Sequence, residues 1–524
     1  MSAIGNMARL GRAGTVIAIS GARVLPDDVN LPPPLALFGR LTAPLRQKSN
    51  GEDTGNEEKL SAALTSLGPS YIKLGQFLAT RDDIIGRKLA ADLSTLQDRL
   101  PPFSQDEARA AVEEALEAPI DRLFVSFGPP VAAASIAQVH KAQVKAPDGS
   151  LRPVAVKVLR PGIEQRFRQD LDSYLFAAKL IERLHAPSRR LRPIAVVDTL
   201  AKSVAIEMDL RMEAAAISEM DDNIKNDEGF RVPKVDWTRS ARRVLTLEWI
   251  DGIPMADRDG LIAAGFDPKA LGATLMQSFL RHAMRDGFFH ADLHPGNLFI
   301  DDQGRIVAVD FGIMGRLGMK ERLFLAEILH GFITRNYRRV AEVHFEAGYV
   351  PRKHSVAQFA QALRAIGEPI MDRPASEISM AQLLGQLFQY TEVFDMQTRP
   401  ELLLLQKTMV VVEGVSRSLD PELNMWVVSE PVVKQWLETQ LGATAQLGAA
   451  AEGAGRFMGD IPKLLGRVER VGEAFAEMAE EGLRLDDHTV ERLAEVQSRQ
   501  NRWSRIGIWV GAIALAAIAL TLIF

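Results

Sequence analysis

Two short runs carry residue types suited to moving a phosphoryl group. The first is His290-Ala291-Asp292-Leu293-His294-Pro295-Gly296-Asn297 and the second is Asp310-Phe311-Gly312. An aspartate, an asparagine five residues on, a short strand and then Asp-Phe-Gly is the spacing of a phosphoryl-transfer loop and its metal-binding turn. The chemistry explains the types. Transfer of a γ-phosphoryl group needs a carboxylate to orient the attacking hydroxyl or water, and Asp292 suits that role. It also needs oxygen ligands for Mg2+, which neutralises charge on the phosphates, and Asn297 and Asp310 suit that one. ATP and Mg2+ are the expected cofactors. Asp-Phe-Gly alone is common; both halves in order, a hairpin's length apart, are not a chance pair.

Phosphates also need a cation. Val154-Ala155-Val156-Lys157 reads as a strand bearing a lysine upstream of that loop, where the α- and β-phosphates are held. Many strand lysines only snorkel from an edge, so this one gains its meaning from the set. It needs an acidic partner from a helix; Glu207, Asp209 and Glu213 lie on one predicted helix and are the candidates. Before the lysine come Val131 and then Ala132-Ala133-Ala134-Ser135-Ile136-Ala137-Gln138-Val139. This run keeps the Gly-x-Gly-x-x-Gly-x-Val spacing of a nucleotide loop, with alanine at all three glycine positions. Glycine allows positive φ and lets backbone N–H groups approach phosphate. The added methyl groups stiffen the loop and narrow that approach. A nucleotide loop with altered selectivity or restrained transfer is expected.

The elements that must hold these residues follow from pattern. Helical periodicity runs over residues 57–117, broken at Gly68-Pro69 and Pro101-Pro102. Short β-prone runs follow at 124–127, 136–144 and 153–159, the last two joined by the hairpin-type loop Ala146-Pro147-Asp148-Gly149-Ser150. Helix returns over about 162–223, with a break near 186–193; residues 243–249 alternate as a strand that ends at Ile250-Asp251-Gly252. Helices then dominate to Arg499, apart from short strands around 298–300 and 306–309. The expected fold is α+β, a β-rich small lobe followed by a larger helical lobe. The expected boundaries are 1–55 for an N-terminal amphipathic segment and linker, 56–123 for a helical extension, and 124–252 for the small lobe. The large lobe takes 253–440, a helical connector 441–502, and a transmembrane tail anchor 503–524.

The 524 residues carry 62 basic and 67 acidic side chains, a net charge of −5. No global basic field favours nucleic acid, and none is expected as a partner. There is no cysteine, which removes disulfides, thiolate zinc sites, iron–sulfur clusters and cysteine nucleophiles together. Residues 506–524 carry no charge and are almost all apolar; as a helix at about 1.5 Å per residue they span close to a bilayer core. Arg499, Arg502 and Arg505 precede them, and Trp503 and Trp509 flank their start. Basic residues stay on the cytoplasmic side and tryptophan favours the interface. The expectation is a single-pass C-terminal anchor in a bacterial inner membrane, with a cytoplasmic body. Residues 1–25 hold Arg9, Arg12 and Arg23 and no acid. They read as a transit peptide, which keeps a mitochondrial location as the alternative, as an amphipathic surface helix, or as a helix docked on the protein.

With further motifs, the chain resembles the UbiB family of atypical kinase-like proteins, linked to ubiquinone (coenzyme Q) biosynthesis. Tyr71-Ile72-Lys73-Leu74-Gly75-Gln76 resembles the family's Lys-x-Gly-Gln motif, and Leu96-Gln97-Asp98-Arg99 with Pro101-Pro102 follows as in the family. The alanine-rich run with His140 is similar to the family's replacement for the glycine loop. Glu207-x-Asp209 resembles its Glu-x-Asp motif, and Leu419-Asp420-Pro421 a segment near the end of its C-terminal lobe. The resemblance covers about residues 60–425. It implies a two-lobed kinase-like fold whose N-terminal extension packs over the active site. It implies that Lys73 and Gln76 sit near the phosphates and that Glu213 partners Lys157, so that Lys73 and Glu213 join Asp292 in the catalytic set. It further implies that Glu207 pairs with Lys73 or helps position metal, and that Glu248 lies where a kinase hinge meets adenine.

Two departures from ordinary protein kinases narrow the function. Ala291 stands where an arginine usually receives an activation-loop phosphate, and after Gly312 the chain runs quickly into helix, with no Ala-Pro-Glu. Without that segment there is no peptide platform, so water or a small membrane-associated molecule is the expected acceptor. The expected function is a membrane-anchored atypical kinase or ATPase supporting ubiquinone synthesis. Its expected partners are membrane lipid, hydrophobic quinone precursors and ubiquinone-biosynthesis enzymes. A protein kinase regulating such an enzyme and a nucleotide-sensing scaffold are the alternatives.

Overall fold

A computed structural model describes residues 3–20, 56–79, 85, 87–94, 96, 100–184, 192–371, 393–396 and 400–455. The chain divides into two compact units, 1–439 and 440–524; of the second, residues 440–455 are described and are helical. The apolar segment 506–524 with its basic flank, residues 21–55 and 456–502, and Gln97-Asp98-Arg99 lie outside the described residues. Among the described residues no helix is long and apolar enough to cross a membrane.

The extension consists of α1 (Ala3–Ser20), α2 (Asn56–Leu67), α3 (Pro69–Ala79) and α4 (Arg87–Ser94). Gly68 ends α2 at φ +105°, and Pro69 opens α3; this Gly-then-Pro punctuation stops one helix and starts the next. The N-terminal segment forms a helix docked on the protein. α1 packs on α2 and on α7 (Ile163–Leu184), and Arg9 Nε donates to Ser173 Oγ at 3.1 Å. Leu60, Leu64, Leu67, Tyr71 and Ile72 join the main apolar core.

α5 (Gln105–Leu116) opens with a Ser104/Glu107 capping box and is followed by α6 (Ile120–Leu123). Then come β1 (Ser126–Ala133), β2 (Ala137–Lys145) and β3 (Leu151–Leu159). They form an antiparallel sheet in the order β1-β2-β3-β5, with β5 at Val244–Glu248. Alternation sorts the two faces of β3. Val154, Val156 and Val158 are buried against Ala108, Ala111 and Val112 of α5 and against Phe124 and Phe127. Ala155 and Lys157 therefore face the opposite side. α5, grouped by sequence with the extension, shares its core with the small lobe.

α8 (Pro193–Glu207) and α9 (Leu210–Asn223) lead on to the large lobe. Its helices are α10 (Arg258–Ala263), α11 (Pro268–Arg281), α12 (Met319–Ile333), α13 (Tyr337–Glu346), α14 (Val356–Met371), α15 (Pro400–Leu419) and α16 (Met425–Gly455). Two small sheets sit among them. One has the order β4-β9-β8-β6, from β4 (Phe230–Arg231), β9 (Ile306–Ala308), β8 (Leu298–Ile300) and β6 (Ile253–Pro254). The other pairs β7 (Phe288–His290) with β10 (Met314–Arg316). β4, β6, β7 and β10 are two or three residues long, too short for alternation to register in the sequence.

Candidate active site

Lys157 lies opposite Val139 of β2 and Leu245 of β5. Its Nζ is 2.9 Å from both carboxylate oxygens of Glu213 and 2.7 Å from Asp310 Oδ1. Burial works against charge on this ammonium, but the Asp310 and Glu213 carboxylates override it and hold its pKa above the ordinary lysine value. Lys157 pulls the pKa of Asp310 down to about 2. Glu213 is buried, and burial raises its pKa against the pull of Lys157. Glu207, Asp209 and Glu213 do not share one helix, contrary to their reading by periodicity. Glu207 ends α8, and Asp209 caps α9, accepting the Arg211 N–H at 3.2 Å and the Arg211 guanidinium at 2.9 and 2.6 Å. An aspartate carboxylate competes with the helix interior for backbone donors, so it favours the cap.

α3 carries the extension into this cluster. Lys73 makes a hydrogen-bonded ion pair with Glu207, which is the lysine-pairing role of the two foreseen for that glutamate. The charge of Lys73 also contributes to the low pKa of Asp310. Gln76 is half-buried on α3, three residues on and on the same side of the helix. Gly75 works by packing: a Cβ there would meet Leu96 Cδ2 at 2.8 Å and Leu64 Cδ1 at 2.9 Å.

The catalytic loop is braced from inside. His290 Nε2 donates to Val309 O at 3.2 Å, and its Nδ1 accepts the Asp292 N–H at 3.1 Å, an assignment of tautomer made from the partners. Burial lowers its pKa, so a neutral ring serves as this brace. Asn297 Nδ2 donates to Asp292 O at 3.1 Å and lies 3.4 Å from Asp292 Oδ2. Asp310 has φ 62°, a left-handed conformation that aspartate tolerates better than most residues. Ala291 is buried, and its carbonyl, at 3.1 Å, shares the Thr408 hydroxyl of α15 with Leu404 O at 2.8 Å. Thr408 was missed from sequence: it lies 117 residues away, and nothing local marks it.

The nucleotide-loop candidates divide. β1 extends through Ala133, and Ala134 N donates to Ala137 O at 2.8 Å, so only Ala134, Ser135 and Ile136 form the turn. None of residues 131–139 takes a positive φ, as expected with alanine at the glycine positions. Val131 and Ala132 are exposed, and Ala133, Ala134 and Val139 are half-buried. The side chains of Ser135, Ile136, Ala137 and Gln138 are buried, so what this run can offer a phosphate is backbone N–H. Glu248 ends β5, shortly before Gly252. Its carboxylate accepts Arg231 Nη1 at 3.0 Å and the Lys234 N–H at 3.2 Å, and Arg231 Nε also donates to Asp301 at 2.8 Å. The side chain ties the strand end, through Arg231, to the β8–β9 turn. Gly252 follows; a Cβ there would meet Ile300 O at 2.7 Å.

After Gly312 only β10 precedes α12, which starts at Met319. Arg316 binds Glu219 of α9 through both guanidinium arms, at 2.8 and 2.6 Å. Mg2+ fits the donors present. Asp310 keeps a half-exposed carboxylate, and Asn297 spends its amide hydrogens on Asp292 and so leaves its carbonyl oxygen to serve as a ligand. Two protein oxygens with water and phosphate is how Mg2+ is commonly held. Among the described residues no cluster of three His, Asp or Glu forms a dedicated all-protein cage.

A family model described as the ABC1 atypical kinase-like domain matches residues 95–344, and one described as the UbiB helical domain matches 363–424. Relatives named "Probable protein kinase UbiB" are similar over most of the chain. That of Marinobacter nauticus is 37% identical over 502 residues, 94% of this chain and 89% of its own. That of Azotobacter vinelandii is 39% identical over 394 residues, 74% and 73% of the two chains. That of Xanthomonas euvesicatoria pv. vesicatoria is 41% identical over 409 residues, 76% and 73%. Lys157, Glu213, Asp292, Asn297 and Asp310 all fall within the ABC1 match, whereas Lys73 and Gln76 precede it.

Proposed function

This chain belongs to the UbiB family of atypical kinase-like proteins, which implies a role in ubiquinone biosynthesis, and from that premise we propose a membrane-anchored, Mg2+–ATP-dependent phosphoryl-transfer enzyme. Its acceptor is water or a small lipid-like molecule. The observation that carries this reading is the Lys157 ammonium held between Glu213 and Asp310, with Asp292 fixed by Asn297 on the loop before the metal turn. Glu213 orients Lys157 toward phosphate oxygens, and Asp292 accepts the proton of the attacking hydroxyl or water. Bound Mg2+ neutralises phosphate charge, and Asn297 and Asp310 are the residues that would hold it. The short run from Gly312 to Met319, tied to α9 through Arg316, supports the small acceptor over a peptide.

ATP turnover by the full-length protein, with and without anionic liposomes, tests the proposal. Mg2+-dependent turnover that rises with membrane is the expected result; absence of nucleotide binding would sink it. The anchor reading rests on the uncharged segment 506–524. Deleting it should move the protein from the membrane to the soluble fraction and lower quinone synthesis in cells; unchanged fractionation would refute the anchor. Thr408→Val should reduce kcat roughly five-fold, the value of one hydrogen bond that positions the loop, with KM little changed. A changed KM with an unchanged kcat would count against that brace.

A further inference from the structure

The alanine-rich turn does not stand alone. Its apex carbonyl, Ala134 O, takes two N–H groups from Arg160, Nη2 at 2.8 Å and Nε at 3.2 Å. The backbone N–H of Arg160 donates to Ile136 O at 2.8 Å. One residue, next after β3 and three beyond Lys157, thus grips both sides of the turn. The same guanidinium reaches Leu100 O at 3.4 Å and lies 5.7 Å over the Phe103 ring. From the other side Gln138, 1% exposed, accepts the Phe103 N–H at 2.9 Å and donates to Phe103 O at 3.3 Å. Its amide also donates to His140 Nε2 at 2.9 Å, and His140 Nδ1 donates to Gly128 O at 2.8 Å.

The turn is therefore stapled to the segment Leu100-Pro101-Pro102-Phe103, which continues from the extension. Leu96, shortly before it, packs on Gly75 of the helix that carries Lys73. Peptide planarity gives this grip a consequence for ligands. Pinning Ala134 O toward Arg160 fixes the opposite direction for the Ser135 N–H, a donor of the kind a bound phosphate reads at such a turn. Without glycine in the turn, its backbone has little freedom to reorient once Arg160 holds it.

We propose that Arg160 is a specificity-determining positioning residue, which latches the alanine-rich turn to Leu100–Phe103 and thereby sets how the site discriminates nucleoside triphosphate from diphosphate. The inference rests on the nucleotide reading of the site given above. It is tested in the full-length protein with Arg160→Ala and with Arg160→Lys, which keeps the cation and one donor but loses the fork. Amide hydrogen exchange over residues 132–138 reports the latch, and dissociation constants for Mg2+–ATP and Mg2+–ADP report discrimination. Arg160→Ala should speed exchange in the turn and change the ratio of the two constants by about tenfold, with Arg160→Lys between it and wild type. Should the alanine variant fail to fold, the lysine variant alone decides. A ratio within twofold of wild type would overturn the latch, as would unaltered exchange. Failure of the wild-type protein to bind either nucleotide would overturn the reading of the site itself.

Discussion

Asp292→Asn should cut Mg2+-dependent ATP turnover by roughly a hundred- to ten-thousand-fold while nucleotide affinity stays within a few-fold of wild type. The substitution is nearly isosteric, and the backbone around it is held by other groups. His290 Nδ1 accepts the N–H of residue 292, and Asn297 Nδ2 donates to its carbonyl. What disappears is a carboxylate able to take a proton from the attacking hydroxyl or water. Phosphate release measured on wild type and variant, purified side by side, gives the first quantity; nucleotide titration gives the second. Equal turnover would remove Asp292 from its role and with it the enzyme reading. Lost turnover with lost affinity would point instead to a collapsed loop.

Lys157→Met has the second large effect, on stability as well as turnover. Removing the ammonium leaves Glu213 buried with its main partner gone, a change that costs about 3–5 kcal/mol for buried pairs. Asp310 is half in water and adds little to that cost. The double variant Lys157→Met/Glu213→Leu should recover most of the lost stability but none of the turnover, because it removes the stranded charge and not the need for a cation on phosphate. A double variant no more stable than the single one would show that the pair is not what the fold depends on.

The pH dependence follows with a definite sign. In the single variant the folded pKa of Glu213, already raised by burial, loses the opposing pull of Lys157. A raised folded pKa means that stability is kept below the ordinary carboxylate range and lost as pH rises through the folded value. The single variant should therefore lie closest to wild type in acid and fall behind as pH rises. Asp310 behaves oppositely in the wild-type protein. Its pKa is lowered from 3.8 to about 2, so its contribution is present above about pH 4 and is lost as pH falls through 2. Asp310→Asn should flatten that acid limb of a denaturation series; an unchanged limb would contradict the ion pair.

Sequence alone determined what depends on near neighbours. Alternation in β3 put Lys157 on the face opposite Val154, Val156 and Val158, and the spacing of Asp292, Asn297 and Asp310 fixed a loop and a turn of the right reach. Gly68-Pro69 marked the break between α2 and α3 because both residues act within one turn of helix. The tertiary structure decided partners. Glu213 rather than Asp209 or Glu207 meets Lys157, because Asp209 is consumed as a cap and Glu207 is met by Lys73 from 134 residues away. Glu248 turns to Arg231, which β4 delivers by pairing with β9 in the other lobe's sheet. Thr408 and Arg160 acquire meaning only through contacts 117 and 26 residues distant. A residue's pattern records the conformation its own segment prefers. Which side chain faces it across the fold depends on how those segments pack, and many sequences share the same local pattern while packing differently.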